Sequence, residues 1–147
     1  MNVIWETSEF IRRIRVLMRF GEFSRAPLEL LRLQVRKGVA ECDWLVRPPD
    51  PWDVDLPEQL RETNQSLQAL RDALKMREML FAAFHELRSA EFRVFRRTAH
   101  QEQELIMVGT IHREDEIPPR IPSLVMRAKL CGFRFWLSDG VLMAMAP

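Results

Sequence analysis

The sequence predicts an α+β fold: a mostly antiparallel sheet of about six strands, built from three hairpins, with three helices packed mainly on one face. Three observations predict it. Residues 57–87 contain no internal Gly or Pro and repeat their apolar side chains at helical spacing. Three pairs of β-rich segments fold back at Lys37-Gly38, at the polar loop after Arg97, and at Asp139-Gly140. The order is α-ββ-α-ββ-α-ββ, and no strand–helix–strand unit demands a parallel crossover. The 147 residues suit a single domain spanning 1–147.

The elements follow in order. Residues 8–20 place Phe10, Ile11, Ile14, Leu17 and Met18 at three/four spacing, with Thr7 or Ser8 as a cap and Gly21 as the stop. Residues 28–47 form a hairpin about Lys37-Gly38 whose partners sum to 75. Leu31, Leu33 and Val35 then face Trp44, Cys42 and Ala40, while Arg32 faces Asp43 and Gln34 faces Glu41. That register separates an apolar face from a charge-complementary one. The segment RPPDPWDVDLP breaks regular structure through Pro48, Pro49, Pro51 and Pro57, with Trp52 pinning it to the body.

In the long helix 57–87, Leu60, Leu67, Leu70, Leu74, Phe81 and Phe84 share one face, and apolar residues widen it beyond Arg71. The far end is therefore buried on several sides, and the start lies at the surface. Arg77 falls in the apolar face and must snorkel or find a carboxylate. Residues 90–97 and 105–112 form the second hairpin, and the two-sided apolar run LIMVGTI marks a central strand. After a second proline connector, Ser123 and Gly132 bound a short helix over 123–131. Residues 133–146 close the chain as a hairpin on the type I′ turn Ser138-Asp139-Gly140-Val141. Its inner face carries Phe133, Phe135, Leu137, Leu142 and Ala144; its outer face carries Arg134, Trp136, Met143 and Met145.

Charge narrows the functional classes. The 22 Lys+Arg residues, 19 of them Arg, almost balance 21 Asp+Glu, which excludes a uniformly basic nucleic-acid binder. Residues 8–37 sum to +5 and 38–64 to −5; residues 88–100 sum to +3 and 101–116 to −4. Segments that pack together thus neutralise one another. No window holds the roughly 18 apolar residues of a membrane span, and arginines interrupt the start of the chain, so a cytoplasmic protein without a membrane partner is expected. Cys42 and Cys131 read as buried small hydrophobes rather than a redox pair.

No phosphate-cradle, nucleophile-elbow or zinc motif is present, so neither a cofactor nor a metal is expected. His112, Glu114 and Glu116, with His100, read as a solvated acidic connector rather than a metal site. Three surfaces remain. Arg134, Trp136, Met143 and Met145 form an apolar stripe beyond the needs of one core face, unless Val3-Ile4-Trp5 covers it. It fits a homo-oligomer contact or another protein partner. Arg12, Arg15 and Arg19, with Arg93, Arg96 and Arg97 between Phe92 and Phe95, are the alternative, a nucleic-acid surface. Arg77 and His85 are a third candidate, binding an anionic ligand and moving a proton. The first reading, a non-catalytic self-associating or protein-interaction domain, is preferred.

Overall fold

The computed structural model describes residues 3–115, 117 and 120–145. Helix α1 (Val3–Leu17) leads to strands β1 (Glu29–Arg36) and β2 (Val39–Leu45), and a single 3-10 turn (Pro51–Asp53) precedes helix α2 (Glu58–Ala83). Strands β3 (Ser89–Arg97) and β4 (Gln103–His112), helix α3 (Leu124–Cys131), and short strands β5 (Phe133–Arg134), β6 (Leu137–Ser138) and β7 (Val141–Leu142) follow. The α+β class and the mainly antiparallel pairing are as expected. The strand arrangement differs: five strands form one mixed sheet in the order β1-β2-β3-β4-β5, and β6-β7 stand apart as a pair.

The first difference is a parallel contact between β2 and β3, from Val39↔Ser89 to Leu45↔Phe95. Helix length explains it. The 26 residues of α2 rise about 39 Å, enough to return the chain to the start of β2. The next strand therefore runs in the same direction as β2, and the crossover absent from the sequence reading is present. The second difference is that the third hairpin divides. Phe133 and Arg134 pair with Gly109 and Val108 of β4, and only the tip closes on itself through Leu137↔Leu142 and Ser138↔Val141. Asp139 and Gly140 at that tip have φ of 51° and 80°, as a type I′ turn requires. Ala146 lies outside the described residues.

The first hairpin keeps the expected sum of 75 from Arg32↔Asp43 to Arg36↔Val39, then slips by one at a bulge, so that Leu30 rather than Leu31 faces Trp44. Charge pairing in this sheet is set across three strands, not two. Arg32 reaches Glu41 at 2.8 Å, and Asp43 is taken by Arg93 of β3 at 2.5 Å.

One face of the sheet is the floor of the core. Ala40, Cys42, Trp44, Ala90, Phe92, Val94, Met107 and Ile111 join Leu70, Met76 and Leu80 of α2 in one apolar cluster. Trp44 meets Phe92 edge-on at 5.2 Å between ring centres, and Phe92 stacks on Phe133 at 5.6 Å. Helices α1 and α3 both pack on α2, with Phe10 6.0 Å from Phe84. The burial of α2 begins at Ser66, matching the expected exposed start.

Three local expectations need correction. Helix α1 begins at Val3 and ends at Leu17, so Thr7 and Ser8 are interior rather than caps. Glu9 holds Arg12 and Arg13 one turn ahead at 2.7 and 2.9 Å, the favourable order for acid and base. These arginines keep the Glu9 carboxyl down at about 2. Gly21 is not a left-handed stop; it lets the Gln68 amide approach, since a Cβ there would lie 2.6 Å from that side chain and displace it. Trp52 does not pin the connector, being 79% exposed. Asp50 caps the amide of Trp52 instead, and Ser24 donates to the carbonyl of Pro48 at 2.9 Å.

Candidate interaction surface

The candidate surface begins at α3. Ser123 accepts the amide hydrogen of Met126 and starts the helix; Gly132, with φ of 114°, ends it and turns the chain onto β4. The turn sets Phe133 against Phe92 in the core and points Arg134 outward. Lys129 lies 5.7 Å over the ring of Phe135, which is itself buried.

The tip is fixed by hydrogen bonds from other elements. Ser66 of α2 accepts the amide of Leu142 at 2.9 Å, and Arg96 of β3 donates to the carbonyl of Leu142 at 2.7 Å. Gln59 donates to the carbonyl of Asp139 at 2.8 Å. The amide of Met143 donates to Trp136 at 2.9 Å, and that of Met145 donates to Leu105 at 2.7 Å. Within this anchored segment Trp136 remains 68% exposed and Met143 45% exposed.

Arg134, Trp136 and Met145 share one groove of 410 Å³ with Lys129, Phe133 and Phe135. Met143 borders a different cleft, so the four predicted residues do not form a single stripe. The inner face is also less regular than expected. Phe133, Phe135 and Leu142 are buried, whereas Leu137 and Ala144 are exposed. Val3-Ile4-Trp5 does not cover Trp136: these residues form the first turn of α1, whose Glu6 accepts the backbone amide of His85 at 3.2 Å.

The chain matches no protein-family model, no curated protein and no solved structure.

The strand arginines are engaged. Arg93 meets Asp43 at 2.5 Å, Arg96 meets Glu104 at 2.6 Å, and Arg97 meets Glu29 at 3.7 Å. They also diverge. Arg93 joins the polar face of the sheet, while Arg96 turns toward α2 and the tip. On α1, Arg12 is held by Glu9, and Arg19 lies 5.2 Å over Phe20; Arg15 is exposed. Five of the six arginines thus already have a carboxylate or an aromatic ring as partner.

Arg77 and His85 are not brought together by a bond. Arg77 donates to the carbonyls of His112 and Asp115, and its guanidinium lies 5.5 Å over Phe81. Among the described residues, backbone oxygens rather than a carboxylate take its charge. His85 is exposed beyond the end of α2. Among the described residues no three His, Cys, Asp or Glu side chains are grouped to hold a metal; Glu116 lies outside them.

Both thiols are buried, and burial pushes both upward, Cys131 to about 11. A thiol reagent at neutral pH is expected to label neither cysteine in the folded protein and both in denaturant. Rapid labelling of the native chain, followed by thiol counting, would contradict that burial.

The polar group that sequence reasoning passed over is Arg47 with Asp72. Arg47 is 2% exposed and Asp72 4%. The guanidinium reaches both carboxylate oxygens, at 2.7 and 3.3 Å, and donates to the carbonyls of Met18 and Ala26. Gln68 donates to the same carboxylate at 3.0 Å and accepts the amide of Phe23. Burial pushes the Asp72 carboxyl above its ordinary value, and Arg47 and Gln68 pull it back only partly. The available signal was a charge of each sign inside apolar runs, WLVR and ALRDAL.

Proposed function

We propose that the chain is a non-catalytic interaction domain that self-associates through the face carrying Trp136. The observation behind this reading is the 68% exposure of Trp136 on a segment whose neighbours Phe135 and Leu142 are buried. Trp, Met and Arg are favoured in interfaces. The tip is already anchored, so little conformational freedom remains to be lost on binding. Met126 and Leu130, each about half exposed, extend the apolar surface on the helix that supplies Lys129.

Charge favours a second copy as the occupant. Lys129 and Arg134 stand at the base of this face. Asp139 stands at the tip, bonded to Gln59 of α2 beside the exposed Glu58 and Glu62. A two-fold axis turns the basic base of one copy toward the acidic tip of the other. Two buried free thiols fit a reducing, cytoplasmic setting.

Light scattering across a dilution series tests the reading. A concentration-dependent dimer is expected, and Trp136→Glu is expected to convert it to monomer, with a melting temperature equal to that of wild type diluted to monomer. A wild-type monomer at every concentration overturns it.

A further inference from the structure

We propose that the cleft at the carboxyl ends of β2 and β3 binds a small amphipathic carboxylate. The two strands are parallel, so both chain ends leave the sheet at one edge, and the connector to α2 crosses there. Open α/β sheets offer ligands a crevice at that edge. Here it is a cleft of 680 Å³, within the roughly 300–1,000 Å³ of small-molecule sites. Leu28, Leu45, Val46, Pro48 and Pro49 supply an apolar wall. A second chamber of 470 Å³ shares Pro49, Gln65, Arg97 and Thr98 with the first and adds Arg61 and Arg96.

Arg61, Arg96 and Arg97 share the two chambers with Glu29, Glu58, Glu62 and Glu104, so the sign of the ligand's charge turns on which guanidinium lacks a close acid. Arg96 is committed to Glu104 and to the carbonyl of Leu142. Among the described residues Arg97 has only Glu29, 3.7 Å away, with both side chains about half exposed. Such a pair contributes little and yields readily to a closer anion. Arg61 is half-buried and has no carboxylate partner among the described residues; its Nε is shielded from solvent without a hydrogen-bond acceptor. Glu58 and Glu62 border the same chamber, but both are exposed and neither pairs with Arg61. An apolar body in the first chamber, with its carboxylate turned toward Arg97 and Arg61, satisfies both the wall and the guanidinium. Inorganic phosphate uses no apolar wall, and a neutral hydrocarbon leaves the arginines unanswered.

Gln101 borders the first chamber with φ of 64°. The other two non-glycine residues with positive φ among the described residues, Lys37 and Asp139, sit in two-residue hairpin turns. Glycine suits the Gln101 conformation better, so Gln101→Gly removes an amide from the cleft without harming the fold.

Titration of the full chain with decanoate, followed by backbone-amide NMR shifts, tests the proposal, with decanol as the neutral comparison. Saturable shifts in the low millimolar range or below are expected at residues 45–46, 61–65 and 97–101. Decanol is expected to bind about tenfold more weakly, and Arg61→Gln or Arg97→Gln to weaken decanoate by about the same factor. Gln101→Gly is expected to lower decanoate affinity while retaining the fold. Two variants on separate elements keep the test valid if one fails to fold. Absence of saturable shifts, equal affinity for decanol, or shifts confined to residues 129–145 overturns the site.

Discussion

Asp72→Ala is expected to destabilise the protein by about 3–5 kcal/mol, because it leaves the Arg47 guanidinium charged and buried without its counter-ion. For a domain whose total stability is about 5–15 kcal/mol, that is a large fraction, and urea denaturation reads it directly. Arg47→Ala is expected to cost at least as much. It removes the cation and also the donors that satisfy the carbonyls of Met18 and Ala26. Those two contacts separate this pair from an ordinary buried salt bridge. Replacing both partners by well-packed apolar residues is often neutral or stabilising. Here Arg47→Met with Asp72→Leu leaves two loop carbonyls and the Gln68 amide without their partners, at about 1–3 kcal/mol for each group that stays dry. The double variant should therefore remain clearly less stable than wild type. Full recovery would mean that the loop after α1 finds solvent easily and that Arg47 does not hold it.

This clamp shows where one-dimensional reading stops. The hairpin register was legible because both sides of it lie within one stretch of sequence, with four of the expected partners from Arg32↔Asp43 onward preserved. The cap at Ser123, the left-handed Gly132 and the Asp139-Gly140 turn were legible for the same reason: each is decided by local backbone chemistry. Arg47 and Asp72 are 25 residues apart, and no local pattern says which distant charge a buried guanidinium will find. The parallel β2–β3 contact was implicit in the length of α2, since a helix that spans the sheet reverses the chain once and the following strand restores its direction. Hairpin patterns are local and carry no information on how two hairpins are joined, so neither this contact nor the cleft at the strand ends is visible in them. For the interaction surface, alternation identified Trp136 as outward-facing. It did not show that the strand would end after two residues at Arg134, so that Met143 and Met145 border different clefts.

The placement of Trp136 rests on two glycines behind Phe133, at the back of the groove that Trp136 lines. A Cβ on Gly109 would lie 2.9 Å from Phe133 and 3.2 Å from the carbonyl oxygen of Gly132. A Cβ on Gly132 would lie 2.7 Å from the carbonyl oxygen of Thr110, where backbone on both sides leaves no flexible side chain to move away. The φ of 114° at Gly132 adds strain for any other residue. Gly109→Ala is expected to cost about 1–3 kcal/mol through overpacking against the Phe133 ring, and Gly132→Ala to cost at least as much. Both should loosen β5 from β4, because the two-residue pairing of Phe133 and Arg134 has no further ladder to hold it. A displaced β5 carries Arg134 and Trp136 out of register with Lys129 and the tip. Dimerisation should weaken in both variants even at temperatures where they remain folded, whereas Trp136→Glu should abolish it while melting, at dilutions where all are monomeric, at the wild-type temperature. Denaturation and light scattering on the same three variants distinguish the cases. If Gly132→Ala melts earlier yet dimerises with wild-type affinity, the α3–β5 turn does not position the surface, and the contact lies elsewhere on the chain.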